Sequence, residues 1–64
     1  MSDIEKLADA VWQLDIRAIG SLHAKSKDER GEIETVLSTK YDATIDLDGT
    51  PDEIQAQLNE VKSG

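Results

Sequence analysis

Cysteine and phenylalanine are absent from this chain, proline and methionine occur once each, and the only aromatic residues are Trp12 and Tyr41. Without cysteine there is no disulfide framework, no thiol nucleophile and no cysteine zinc site. Long apolar runs are missing too, and none approaches the roughly 20 residues of a membrane span. The opening Met1-Ser-Asp-Ile-Glu lacks the basic start of a signal peptide, so a cytoplasmic protein with no membrane contact is expected. Positive charge is scarce: 7 Lys and Arg stand against 14 Asp and Glu, a formal net charge of −7 on 64 residues. A grip on nucleic acid depends on cations against phosphates, so direct nucleic-acid binding is not expected. The length excludes large enzyme architectures and gives one small domain, residues 1–64, which buries only about 60% of its unfolded surface.

What is present argues for folding despite the charge. Leu and Ile occur six times each and Val three times, at helical or strand spacing rather than at random. The core is therefore aliphatic and modest, with Trp12 expected as its largest member. With no disulfide, a domain this small needs well-capped helices or self-association, which leaves monomer or homodimer open.

Three helix starts share one device, a hydroxyl residue followed three positions later by Glu: Ser2…Glu5, Ser26…Glu29 and Thr50…Glu53. In each, the hydroxyl accepts from the N3 amide while the Glu side chain reaches back to the cap amide. Pro51 at N1 and Asp52 in the first turn strengthen the third. The expected fold is α+β and mostly helical. A first helix covers about 3–24, with Leu7, Val11, Leu14, Ala18 and Leu22 at helical spacing and Gly20 as the place where it bends or ends early. A second covers about 27–40, with Ile33, Val36, Leu37 and Tyr41 inward. Tyr41, Ala43, Ile45 and Leu47 then alternate with Asp42, Thr44, Asp46 and Asp48, which predicts a strand over about 42–48. The last helix spans about 51–62 and buries Ile54, Leu58 and Val61. A lone strand needs a partner for its backbone groups. Residues 14–19, whose alternation also suits a strand, another copy of the chain, or a target would have to supply it.

The segment Thr44-Ile-Asp-Leu-Asp-Gly-Thr50 resembles the first motif of haloacid-dehalogenase-type phosphatases. That resemblance would make Asp46 the nucleophile, Asp48 the acid/base and magnesium the cofactor. It covers about seven residues, and the rest of that family's longer α/β domain has no counterpart here. The same residues graze the calcium-loop pattern, but Thr44 and Gln55 fall where a carboxylate and a bidentate Glu are required. His23 is the only histidine and has no nucleophile-elbow sequence beside it; it reads as part of a solvated turn. Lys25, Lys27 and Arg30 are interrupted by Asp28 and Glu29 and followed by Glu32 and Glu34, a pattern unsuited to a recognition helix. Acyl carrier proteins are also small, acidic and helical, but Gly20-Ser21-Leu22 lacks the Asp that precedes their modified serine. No enzyme activity and no cofactor are expected.

The charge is unevenly placed. Residues 42–64 hold Asp42, Asp46, Asp48, Asp52, Glu53 and Glu60 against Lys62 alone, a net of −5. On a strand, Asp42, Asp46 and Asp48 share one face at steps of roughly 6.8 Å, the scale of two steps along a DNA strand. Asp52 and Glu53 extend the row into the next helix. Such a ribbon of carboxylates imitates a phosphate backbone and suits a basic nucleic-acid channel, with long-range attraction speeding the encounter. In size, acidity and lack of catalytic equipment the chain resembles the small phage-encoded anti-CRISPR proteins, several of which place an acidic surface where an effector complex would hold DNA. The resemblance implies a non-enzymatic inhibitor bound to the basic surface of a nucleic-acid-binding complex, with Asp42, Asp46, Asp48, Asp52 and Glu53 as partner-binding residues. The alternative is an antitoxin-like or adaptor module acting through an apolar helix face or a shared-strand homodimer.

Overall fold

The structure, a computed structural model, describes residues 3–64; the Ser2 cap lies outside them. In chain order come α1 (Asp3–Trp12), α2 (Ile16–Ser21), a single 3₁₀ turn (Leu22–Ala24), α3 (Lys27–Tyr41) and α4 (Pro51–Ser63). Among the described residues every regular element is helical, with no strand and no sheet. The expected α+β class is therefore corrected to all-helical.

The expected first helix over 3–24 is also corrected. It breaks at Gln13–Asp15, ahead of Gly20, which sits inside α2. Leu14 adopts the left-handed conformation at φ 63, while the Leu14 amide donates to Val11 O at 3.0 Å and the Asp15 amide to Ala10 O at 3.1 Å. This is the Schellman pattern that closes a helix, here built on leucine instead of the usual glycine. The left-handed turn costs about 1–2 kcal/mol for a residue with a Cβ. Two gains offset it. Asp15 caps α2 by accepting from the Arg17 amide at 3.0 Å, and the reversal lets Ala18, Ile19 and Leu22 join a core with Ala8 and Val11.

Ser26 and Glu29 form the reciprocal capping box on α3. On α4 only half of the expected box forms, since Thr50 Oγ1 accepts from the Glu53 amide at 3.2 Å while the Glu53 carboxylate lies against Gly49. Ile33, Leu37, Ile54 and Leu58 are buried as expected, but Val61 is 39% exposed. Trp12 is only half-buried. It stacks on Tyr41 with centroids 4.4 Å apart and rings 6° from parallel, and Lys62 Nζ stands 5.0 Å from the Trp12 centroid. The stack and its cation tie together the C-terminal ends of α1, α3 and α4.

Residues 42–48 keep the alternation of a strand without being one. Ala43, Ile45 and Leu47 are at most 3% exposed, whereas Asp42, Thr44, Asp46 and Asp48 face solvent. Residues 14–19 form a turn and α2, so they give no second strand. Side chains take that place. The Gln57 carboxamide accepts from the Asp46 amide at 2.8 Å and donates to the Asp46 carbonyl at 2.9 Å, the double bond a neighbouring strand would make. The Leu47 amide donates to Glu34 Oε2 at 2.9 Å, and the Asp48 amide to Asp46 Oδ1 at 2.9 Å. Ala43 donates to Leu37 O at 3.4 Å. Asp42 makes the exit from α3 in the left-handed conformation at φ 54.

Two substitutions should stabilise the fold by opposite chemistry. Gly31 lies inside α3 with open space where a Cβ would sit, so Gly31→Ala should gain about 1 kcal/mol of helix propensity. Asp42→Gly should relieve a left-handed residue and remove a carboxylate from the negative end of α3, gaining about 0.5 kcal/mol. Thermal melts should rise by about 4–8 °C and by about 2–4 °C respectively.

Candidate functional site

The five acidic residues expected to bind a partner are all solvent-exposed. Their placement follows from local folding. The inward demand of Ala43, Ile45 and Leu47 turns Asp42, Asp46 and Asp48 outward, and the Thr50-Pro51 start of α4 sets Asp52 and Glu53 in its first turn.

The row is less regular than its sequence spacing implies. Asp46 curls back so that Oδ1 accepts from the Asp48 amide. One carboxylate oxygen each from Glu34, Asp46 and Asp48 then lie within 4.8 Å of one another. Three anions this close repel, and Arg30 relieves the repulsion: its Nε stands 3.2 Å from Asp48 Oδ1. The Nε–H is not aimed at that oxygen and has no hydrogen-bond acceptor among the described residues, so the pair works by proximity of charge. Half-exposed as it is, it is worth at most about 1 kcal/mol. Arg30 Nη1 also reaches Lys25 O at 3.5 Å. Asp48 is thus partly neutralised within the chain, while Asp42, Asp46, Asp52 and Glu53 keep their charge toward solvent.

Sequence reasoning did not find the residues that hold this surface. Arg30, Glu34 and Gln57 come from α3 and α4, and no local pattern marks them. Glu34 and Gln57 act on backbone amides, which leave no trace in sequence spacing.

The carboxylates suit the work of a charged docking surface. Among the described residues the cation paired with the cluster is the Arg30 guanidinium, so a divalent ion there would have to compete with it. His23 is exposed, in the 3₁₀ turn between α2 and α3.

No family model matches the chain, and neither a curated protein nor a solved structure was found similar to it.

A second polar cluster lies at the C-terminal ends of α1 and α3. Asp9 accepts from Lys40 Nζ at 2.8 and 3.0 Å and from the Tyr41 hydroxyl at 2.7 Å. The Lys40 bond first, then the Tyr41 bond, holds the Asp9 carboxyl below its ordinary pKa. The bond to Asp9 raises both Lys40 and Tyr41 above theirs. A depressed carboxylate contributes stability above its unfolded pKa and loses it as pH falls through the folded value. The two raised groups contribute below their unfolded values and lose it as pH rises through the folded ones. Stability should therefore fall below about pH 4 and again above about pH 10. Asp9→Asn should flatten both limbs in denaturant melts across pH, and unchanged limbs would contradict this assignment.

Proposed function

We propose that this chain is a non-enzymatic inhibitory binding protein that presents a carboxylate-rich surface to a basic site on a nucleic-acid-handling complex and acts by occlusion in the cytoplasm. Small anti-CRISPR proteins are the group with this mode of action that it resembles. The observation that carries the reading is the outward placement of Asp42, Asp46, Asp48, Asp52 and Glu53 along one extended segment and the adjoining helix start, within a stretch of net charge −5. Fields of this kind speed encounter with a cationic partner and weaken with salt. No helix among the described residues is long and apolar enough to cross a membrane, which fits a partner met in solution.

One observation supports an adaptor as the second reading. Ile16 is 71% exposed at the start of α2, and Val61 is 39% exposed near the end of α4. A partner seated on these apolar side chains would bind as well or better at high salt, the reverse of a charge-driven target.

The test neutralises charge while keeping shape. In Asp42→Asn/Asp46→Asn/Asp52→Asn, asparagine still tolerates the left-handed turn at 42 and still offers an oxygen to the Asp48 amide. The variant should fold as the parent does, and its association rate with a target captured from cell lysate by the parent protein should fall by about tenfold at low ionic strength. At high salt the two should converge. Equal association rates at low salt would contradict the reading.

A further inference from the structure

A groove runs along the seam of α1 and α3, floored by Ile4, Thr35 and Val36. Ile4 and Val36 pack on the core with one side and stay half-buried, so the rest of each side chain faces the groove. Glu5 and Glu32, both exposed, stand at its rim. Beyond Thr35 and Val36 the groove continues to Lys40, a run of about 12 Å along α3 at about 1.5 Å per helical residue. None of these residues belongs to the acidic row over 42–53.

Two features decide what fits this groove. Its walls are helices, whose backbone groups are bonded within their own turns and offer an occupant's main chain no partner. An extended peptide laid there would leave amides and carbonyls unpaired against apolar side chains. A helix arrives with those groups already satisfied and seats an apolar stripe through residues at i, i+3, i+4 and i+7. The rim then sets the charge. Glu32 has no ion pair among the described residues, and the Lys40 ammonium is neutralised by the Asp9 carboxylate at 2.8 Å. The groove is thus apolar at its floor and negative at its edge.

We propose that this groove docks an amphipathic helix of a partner protein, its apolar stripe on Ile4 and Val36 and its Lys or Arg flanks beside Glu5 and Glu32. Opposite charge across the rim fixes the orientation of such a helix and selects against acidic ones. A second copy of this chain, with a net charge of −7, brings like charge to the same rim. The inference goes beyond the proposed function, because binding here is driven by apolar burial and shares no residue with the acidic row.

The probe is a synthetic 18-residue peptide with Leu at that spacing and Lys on both flanks of the stripe. One control has the same composition with the leucines spread around the helix, and another has Glu in place of Lys. Binding to the full chain is followed by NMR amide shifts. The amphipathic Lys peptide should bind about tenfold more tightly than its scramble, the scale of one leucine moved out of water. Its shifts should centre on Ile4, Thr35 and Val36. Thr35→Arg lays a long cationic side chain over the floor from an exposed position that suits a good helix former. It should keep the fold and erase the preference for the amphipathic peptide. Glu32→Lys, also exposed, should weaken that peptide by about fivefold, the scale of one exposed charge pair.

Equal affinity for the peptide and its scramble overturns the inference, since charge alone then suffices. Shifts confined to residues 42–53 also overturn it and leave the charge-driven function standing; that function fails on the separate neutralisation experiment. Equal affinity for the Glu peptide, or binding of none of the three, overturns it as well. Shifts at Val36 that grow with protein concentration in the absence of peptide overturn the choice of occupant, since two copies then pair on this face.

Discussion

The constraint on which the structure depends is an extended segment buried on one face with no strand beside it among the described residues. Among the described residues, Ala43, Ile45 and Leu47 contribute three apolar side chains to a small core of twelve buried hydrophobic residues, and a domain of this size has few others to replace them. Burying them brings polar backbone out of water, and unpaired buried backbone costs about 1–3 kcal/mol per group. The chain meets that demand with side chains, using Gln57 from α4 and Glu34 from α3. The segment is thereby tied to both helices, and its outward face is fixed with it.

That arrangement couples folding to the charged surface. Inward Ile45 and Leu47 require outward Asp46 and Asp48, so the period of two that builds the core also builds the acidic row. Glu34 joins two aspartates because it is needed at the Leu47 amide, and the crowding this creates is offset by Arg30. The most regular part of the expected row is therefore the part the fold modifies. The charge left facing solvent without an ion pair is carried chiefly by Asp42, Asp46 and the first turn of α4.

Much of the fold was legible locally. Ser26 and Glu29, and Thr50 with Pro51, marked helix starts because capping acts between residues three apart. The in-and-out pattern of 42–48 was legible as well, but the pattern reports burial, and the presence of a sheet depends on what lies alongside. The long first helix misread Leu14, whose spacing suits a continuous helix and whose left-handed backbone is held by the closing bonds to Val11 and Ala10 and by the packing of Ala18, Ile19 and Leu22 behind it. Trp12 was misplaced for a related reason. Its indole finds Tyr41, 29 positions away in sequence, at the rim of the core. The outward acidic residues were readable, whereas Arg30, Glu34 and Gln57 were not, since each is fixed by a tertiary contact.

The most direct test of the account is amide hydrogen exchange across residues 43–48 in the free protein. Asp46 and Leu47 should be protected, with protection lost at Asp46 in Gln57→Ala and at Leu47 in Glu34→Ala, and Thr44 should exchange close to the rate of an unprotected amide. Asp46 and Leu47 exchanging as fast as Thr44, or keeping their protection in both variants, would contradict it.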